Sequence, residues 1–221
     1  MAYAAIHPLT QEEFLTKYPF LVVFHEKGEL IEFRFDVLKR VFLSDKKEPT
    51  IYSNLIAEMS DYFKEHFACD LIPLNLDFMV NVCKRDENVK LIAQSMKLPN
   101  GGNAQLDVGN NQEYILPFIG ELRSLLNDNQ AELEKVPDFR EALEQFMFEM
   151  EEMSDYPWIE LLWENEIKTR SNRVKFVFNY MNKSYCLIQY YYSNVLIGME
   201  RMNYVIEYIV NHRNDDTTQN E

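Results

Sequence analysis

Glycine is scarce in this chain, with six residues in 221, and none of them builds a phosphate-binding loop. Gly101-Gly102 lies in a polar stretch, without a Gly-Lys-Ser/Thr or GxGxxG pattern around it. No GxSxG and no HExxH occurs, so the common hydrolase and metalloprotease signatures are missing. The four histidines, His7, His25, His66 and His212, are scattered and lack ligand spacing. The three cysteines, Cys69, Cys83 and Cys186, match no zinc or CxxC spacing. No catalytic residue, metal or cofactor is therefore expected, and the chain is read as a non-enzyme. Long hydrophobic runs are missing too. The longest uncharged apolar stretch, Ser184 to Met199, contains Gln189, Ser193 and Asn194 and falls short of the roughly 20 residues a membrane span needs. Residues 1 to 20 lack the basic start and apolar run of a signal peptide. Synthesis in the cytoplasm, with action there or in a nucleus and no membrane contact, is the expectation.

Basic residues are also in short supply. Twenty-two Lys and Arg stand against thirty-six Asp and Glu, for a net charge of −14. Phosphate repels such a chain at long range, which argues against nucleic acid as a partner.

The acidity is sorted into blocks. Residues 128–166 hold thirteen acids, among them Asp138, Glu141, Glu144, Glu149, Glu152, Glu160 and Glu164, against Lys135 and Arg140 alone. The sign then reverses: residues 167–184 carry Lys168, Arg170, Arg173, Lys175 and Lys183 and no acid. Adjacent blocks of opposite charge invite pairing, within one chain or between copies. Phe139, Leu143, Phe146, Phe148 and Met150 interleave the acids, so the block reads as amphipathic helices with one charged face.

The local patterns predict a mainly α fold. Thr10-Gln11-Glu12-Glu13 reads as a capping box opening a short helix that Pro19 ends. Phe20–Phe24 and Glu29–Phe35, with Gly28 between them, read as a hairpin over about 20–35. Ile51, Leu55, Ile56, Met59, Tyr62, Phe63 and Phe67 follow helical spacing. Helices are expected over 74–83, 86–97, 113–127, 138–153 and 157–167, with Pro137 and Pro157 in first turns. A loop is expected over 98–112 and a basic helix or strand over 172–182. Ile188, Tyr192, Val195, Met199, Met202, Ile206 and Ile209 repeat at steps of four and three, which predicts one long aromatic-rich helix from Ser184 to His212. The whole is read as a single helical domain, 1–221, with a small N-terminal hairpin and a polar tail at 213–221.

Size, acidity, the run Tyr190-Tyr191-Tyr192, three cysteines that cannot all pair within one chain, and the lack of any signal or catalytic motif together give a profile. In that profile the chain resembles the polyhedrins of insect nudiviruses, the matrix proteins of occlusion bodies. The helical expectation departs from the β-rich polyhedrins of baculoviruses and cypoviruses. The resemblance implies a dense lattice of copies that encases virions and dissolves in an alkaline gut. The residues offer a route to dissolution: above about pH 10, tyrosines near ~10 and lysines near ~10.4 all shift charge negatively. Head-to-tail contacts between copies would propagate rather than close. Tyr190, Tyr191, Tyr192, Tyr204, Tyr208, Arg170, Arg173, Lys175, Glu149 and Glu152 are the candidate self-association residues. Cys69, Cys83 and Cys186 are candidates for intermolecular disulfides. Two other classes stand beside this one. An acidic interaction or inhibitor protein would offer exposed carboxylates to a basic partner, in the manner of a nucleic-acid mimic. An enzyme would need a polar cleft holding a carboxylate of raised pKa.

Overall fold

The computed structural model describes residues 2–6, 10, 12–25, 29–37, 48–86, 88–98, 101–107, 119–164, 171–191 and 199–213. They form nine strands and six α-helices, in two compact units, Met1–Pro73 and Leu74–Glu221. The fold is mixed α and β, which corrects the mainly α, helical expectation.

In the first unit, β1 (Ala2–Ile6) pairs antiparallel with β2 (Glu13–Lys17). The expected capping-box helix is thus a strand, although the Glu12 backbone N–H still bonds the Thr10 hydroxyl at 3.5 Å. The hairpin at 20–35 is present as β3 (Phe20–His25) and β4 (Leu30–Phe35), in register from Phe20↔Phe35 to His25↔Leu30. Strand alternation sorts its faces. Phe24, Phe33 and Phe35 meet Phe63 and Tyr52 of α1 (Glu48–Phe67) at ring separations of 5.4–6.2 Å. On the other face Glu32 accepts bonds from His25 Nε2 at 2.9 Å and Arg34 Nη2 at 2.7 Å. Helix α1 buries Leu55 and Phe63 of the stripe its spacing predicts, together with Tyr52, which lies outside that stripe, while Tyr62 and Phe67 of the stripe are exposed.

The second unit is built on a five-stranded antiparallel sheet, β6-β5-β7-β8-β9 in spatial order. Its strands are β5 (Val89–Lys97), β6 (Asn103–Asp107), β7 (Asp155–Trp163), β8 (Asn172–Val177) and β9 (Leu187–Tyr190). Helix α2 (Met79–Arg85) packs on β5 and β7. Between β6 and β7 run α3 (Ile119–Asp128), α4 (Gln130–Leu133) and α5 (Pro137–Glu152), and α6 (Met199–His212) follows β9.

One sheet face carries the core: Leu91, Ile159, Leu161, Trp163, Val174 and Phe176 are all buried. Helix α6 covers it with Val205, Ile206, Tyr208 and Ile209. Trp163 meets Tyr208 edge-on at 5.4 Å, and Asn172 Nδ2 bonds the Arg201 carbonyl at 3.1 Å.

Several expectations fail for one reason: long-range pairing decides between strand and helix where the local pattern is ambiguous. Residues 86–97 form β5 rather than a helix. A bulge at Ile92, between the Leu91↔Leu161 and Ala93↔Glu160 pairs, breaks the alternation that would have marked a strand. Residues 157–167 begin as β7, not a helix. Pro157 lies in a second bulge, where Tyr156 and Pro157 stand opposite Met96 alone, so its missing N–H costs no ladder bond. The expected loop at 98–112 contains β6. Gly101, at φ +87°, makes the turn into it, and the Leu98 N–H bonds the Gly102 carbonyl at 2.7 Å. Residues 108–112 lie outside the described residues. Of the expected helix at 74–83 only Met79 onward is helical. The long C-terminal helix is split, because Leu187–Tyr190 pairs with β8 through Val174↔Tyr190, and the helix begins only at Met199. Tyr192 and Val195 of the expected heptad stripe lie outside the described residues. The helices at 113–127 and 138–153 correspond to α3 and α5, with Pro137 in the first turn as expected.

Candidate functional site

One carboxylate of the acidic block, Glu160, meets the basic segment inside the chain. Alternation along β7 turns Glu160 away from Ile159 and Leu161, and the β7–β8 register sets Lys175 directly across from it. Glu160 is 5% exposed. It accepts bonds from Arg173 Nε at 2.9 Å, from Arg173 Nη2, and from the Tyr191 hydroxyl at 2.6 Å. The Arg173 guanidinium lies over the Tyr191 ring at 5.0 Å, and Lys175 Nζ over the Trp158 ring at 3.6 Å. Burial lowers the Lys175 ammonium below its ordinary range. Burial and the Glu160 carboxylate push the Tyr191 phenol up to about 12.

Replacing Glu160 by alanine leaves a guanidinium and a phenol without their shared acceptor. Arg173 is 46% exposed and can turn to water, so the expected cost is about 2 kcal/mol rather than the larger penalty of stranding a fully buried charge. The Trp fluorescence midpoint in urea measures it. Because Glu160 is buried, half-molar salt should leave most of that loss in place; a loss that vanishes in salt would mean a surface pair.

A cleft of about 590 Å³ opens beside α2 and α6, lined by Asp86, Asn88, Lys90, Glu164, Tyr204, Tyr208 and His212. Asp86 accepts from the Tyr208 hydroxyl at 2.6 Å and from the Asn88 backbone and side chain at 2.9 and 2.8 Å. Burial works to raise the Asp86 carboxyl, but these bonds outweigh it and hold the group below the usual range. Burial and the Asp86 carboxylate push the Tyr208 phenol well above its ordinary value. His212 Nδ1 donates to the Tyr208 carbonyl at 2.9 Å. Lys90 Nζ is paired with Glu164 at 3.0 Å. A depressed carboxyl and an elevated phenol are each pushed away from the neutral range that acid–base chemistry uses. No group of three or more His, Cys, Asp or Glu able to hold a metal occurs among the described residues.

The third feature is helix α5. Met147 and Leu126 of α3 are buried together, with Leu122, Leu133, Leu143 and Met150 packed against them. Along one edge of that contact runs a strict series: Val136, Phe139, Leu143, Phe146, Met150 and Met153, at steps of three and four. That is the seam of a coiled-coil helix, yet it has no complete cover. Phe139 is 60% exposed, Phe146 46% and Met153 66%. Asp138, Glu141, Glu144 and Glu149 on the same helix are exposed, as are Asp128, Glu132 and Glu134 before it.

Few of the residues expected to mediate self-association come together. Tyr190 is half-buried with its hydroxyl 3.5 Å from the Met202 carbonyl, while Tyr191 turns to the opposite sheet face. Tyr208 is buried, and Tyr204 is half exposed at the cleft. Arg173 and Lys175 are engaged with Glu160, Tyr191 and Trp158. Arg170 and Tyr192 lie outside the described residues. Glu149 is exposed on α5, bonded by Gln145 Nε2 at 2.9 Å, and Glu152 ends that helix. Cys83 is buried, and burial pushes the half-buried Cys186 thiol far up. Cys69 is also half-buried. The three-four spacing from Val136 to Met153 is present in the sequence, but spacing alone does not show that Phe139 and Phe146 stay exposed.

Comparison with protein-family models, with curated proteins and with solved structures finds no match for this chain. Among the described residues no helix is long and apolar enough to cross a membrane.

Proposed function

We propose that the chain is an association protein without catalysis of its own, and that α5 is its contact element. The observation that carries this is the half-exposed apolar seam from Val136 to Met153, bordered by carboxylates. Contiguous apolar surface of this kind is seldom left bare on a protein that acts alone. The cleft and the Glu160 cluster support the same reading, since their charges already have partners. The carboxylates around the seam favour the acidic interaction protein with a basic partner.

Assembly of copies is the second reading, in the limit a lattice of the polyhedrin kind around virions. The spread of exposed apolar side chains favours it: Leu15, Leu21, Phe24 and Ile72 in the first unit are 56–91% exposed. Pairing of Glu160 with Arg173 within one chain weakens the charge-driven form of that assembly.

The test is the double variant Phe139→Ser/Phe146→Ser. A contact surface is dispensable for folding, so the unfolding midpoint should stay within about 0.5 kcal/mol of the parent. The variant should lose the cross-linked species that the parent forms in the cells that make it. A parent that forms none, or a variant that unfolds, removes α5 as a contact element. Sedimentation velocity from micromolar to millimolar concentration separates the two readings: steady growth in size supports assembly of copies.

A further inference from the structure

The α5 seam has a definable occupant. Helix α5 carries Asp138, Glu141, Glu144, Glu149, Glu151 and Glu152 against Arg140 alone, six acids to one base, or −5. One flank of the seam is closed by the contact of Met147 with Leu126. The other is open and bears Asp138 and Glu149, both exposed, on either side of Ala142 and Gln145. Arg140, the one base, is already bound to Glu144 through Nε at 2.7 Å.

Two helices packed along such a seam lie about 8–10 Å apart, within roughly one Debye length at physiological salt. A second copy would set −5 against −5 at that distance, and like charges along paired helices oppose association. Of the chain's own basic segment, Arg173 and Lys175 are engaged on the sheet with Glu160 and Trp158. From this charge complementarity we propose that the seam docks a basic amphipathic helix of a different protein. Its apolar stripe would repeat at steps of three and four, with Lys or Arg on the flank that faces Asp138 and Glu149. Helix α5, Pro137–Glu152, is about 24 Å long at 1.5 Å per residue, so the partner helix needs about four to five turns. The inference rests on α5 being the contact element and adds the chemistry of what it contacts.

The experiment titrates the purified full chain into dye-labelled synthetic helices and follows fluorescence anisotropy. The first probe is a five-turn Leu/Lys heptad helix. The second has the same leucine seam with glutamates in place of the lysines. The third keeps the lysines and scrambles the leucines. The proposal expects binding of the first probe alone. Phe139→Ser/Phe146→Ser should weaken that binding by at least about ten-fold, the scale expected when aromatic anchors are lost. The second variant, Asp138→Lys/Glu149→Lys, leaves the seam intact and should shift preference from the lysine to the glutamate probe. Equal binding of the first and third probes would reduce the effect to non-specific charge and overturn the proposal. Binding of the glutamate probe by the parent, or a parent that sediments as a dimer which the Phe variant dissolves, would also overturn it while leaving α5 as a contact element. Binding of none of the probes by a monomeric chain would count against both.

Discussion

Replacing Phe176 by alanine should remove about 3–5 kcal/mol from the folding of the sheet unit, the usual cost of deleting a fully buried phenylalanine. Phe176 is 0% exposed, its ladder neighbours are Ile159 and Ile188, and its ring lies 6.4 Å from that of Trp163. Ile159, Leu161 and Val174 around it are also wholly buried, so no mobile side chain is free to refill the hole. A domain has only about 5–15 kcal/mol to lose, and much of that would go in one substitution. Both tryptophans, Trp158 and Trp163, lie on β7, so intrinsic Trp fluorescence reports on this unit. Its urea midpoint should fall by at least about 1 M, given slopes of about 1–3 kcal/mol per molar. Phe148→Ala is the control. Phe148 is 57% exposed on α5, on the side away from the seam, and its loss should stay within about 0.5 kcal/mol. Equal effects from the two would mean that the described sheet face is not the core.

The contrast between those two phenylalanines also marks what the sequence could disclose. The hairpin at 20–35 and helix α1 were legible because each carries its own local signal: Gly28 between two apolar runs, and apolar positions repeating from Ile51 to Phe67. Helix α5 was legible for the same reason, with Pro137 in its first turn. β5 and β7 were not legible, since their alternation is interrupted by bulges at Ile92 and at Tyr156–Pro157. Each bulge inserts one residue and flips the periodicity that identifies a strand. The C-terminal stripe misled in the opposite way. Ile188 fits a helical repeat by position but is held in β9 by Phe176 of β8, a partner that local spacing cannot report.

The charge blocks were visible in the sequence, but their partners were not. Glu160 belongs by count to the acidic run, yet the fold separates it from the others. It is a buried strand residue that answers to Arg173, Lys175 and Tyr191, while Asp138 to Glu149 remain at the surface of α5. Block charge therefore combined two functions: one carboxylate that ties β7 to β8, and a set that borders an apolar seam.

Alkaline pH should destabilise the sheet unit between about pH 10 and pH 12, and Tyr191 contributes to the fall across that window. In the unfolded chain its phenol titrates near ~10; in the fold, burial and Glu160 hold it at about 12. The neutral phenol is thus the form that the fold prefers. Its contribution is fully present below pH ~10, and it is lost as pH rises toward 12, where the unfolded state has already given up the proton. Tyr191 is 40% exposed, so solvent reduces the contribution to about 1 kcal/mol. Tyr208, bonded to Asp86, is shifted in the same direction and adds to the loss from about pH 10 upward. Trp fluorescence midpoints in urea at half-unit steps from pH 8 to 12.5 should fall through this interval. Tyr191→Phe, which has no proton to lose, should flatten the fall while costing little at pH 8. A parent whose midpoint is level across the window, or a Tyr191→Phe variant that falls as steeply, would sink the assignment. The result bears on any lattice of copies as well. Release near pH 10 by tyrosine ionisation would have to come from phenols other than Tyr185, Tyr191 and Tyr208, all of which the fold holds above their ordinary value. Toward pH 12 the subunit itself is weakened, because Tyr191, which ionises there, is bonded to Glu160 of β7 and follows β9 in the chain.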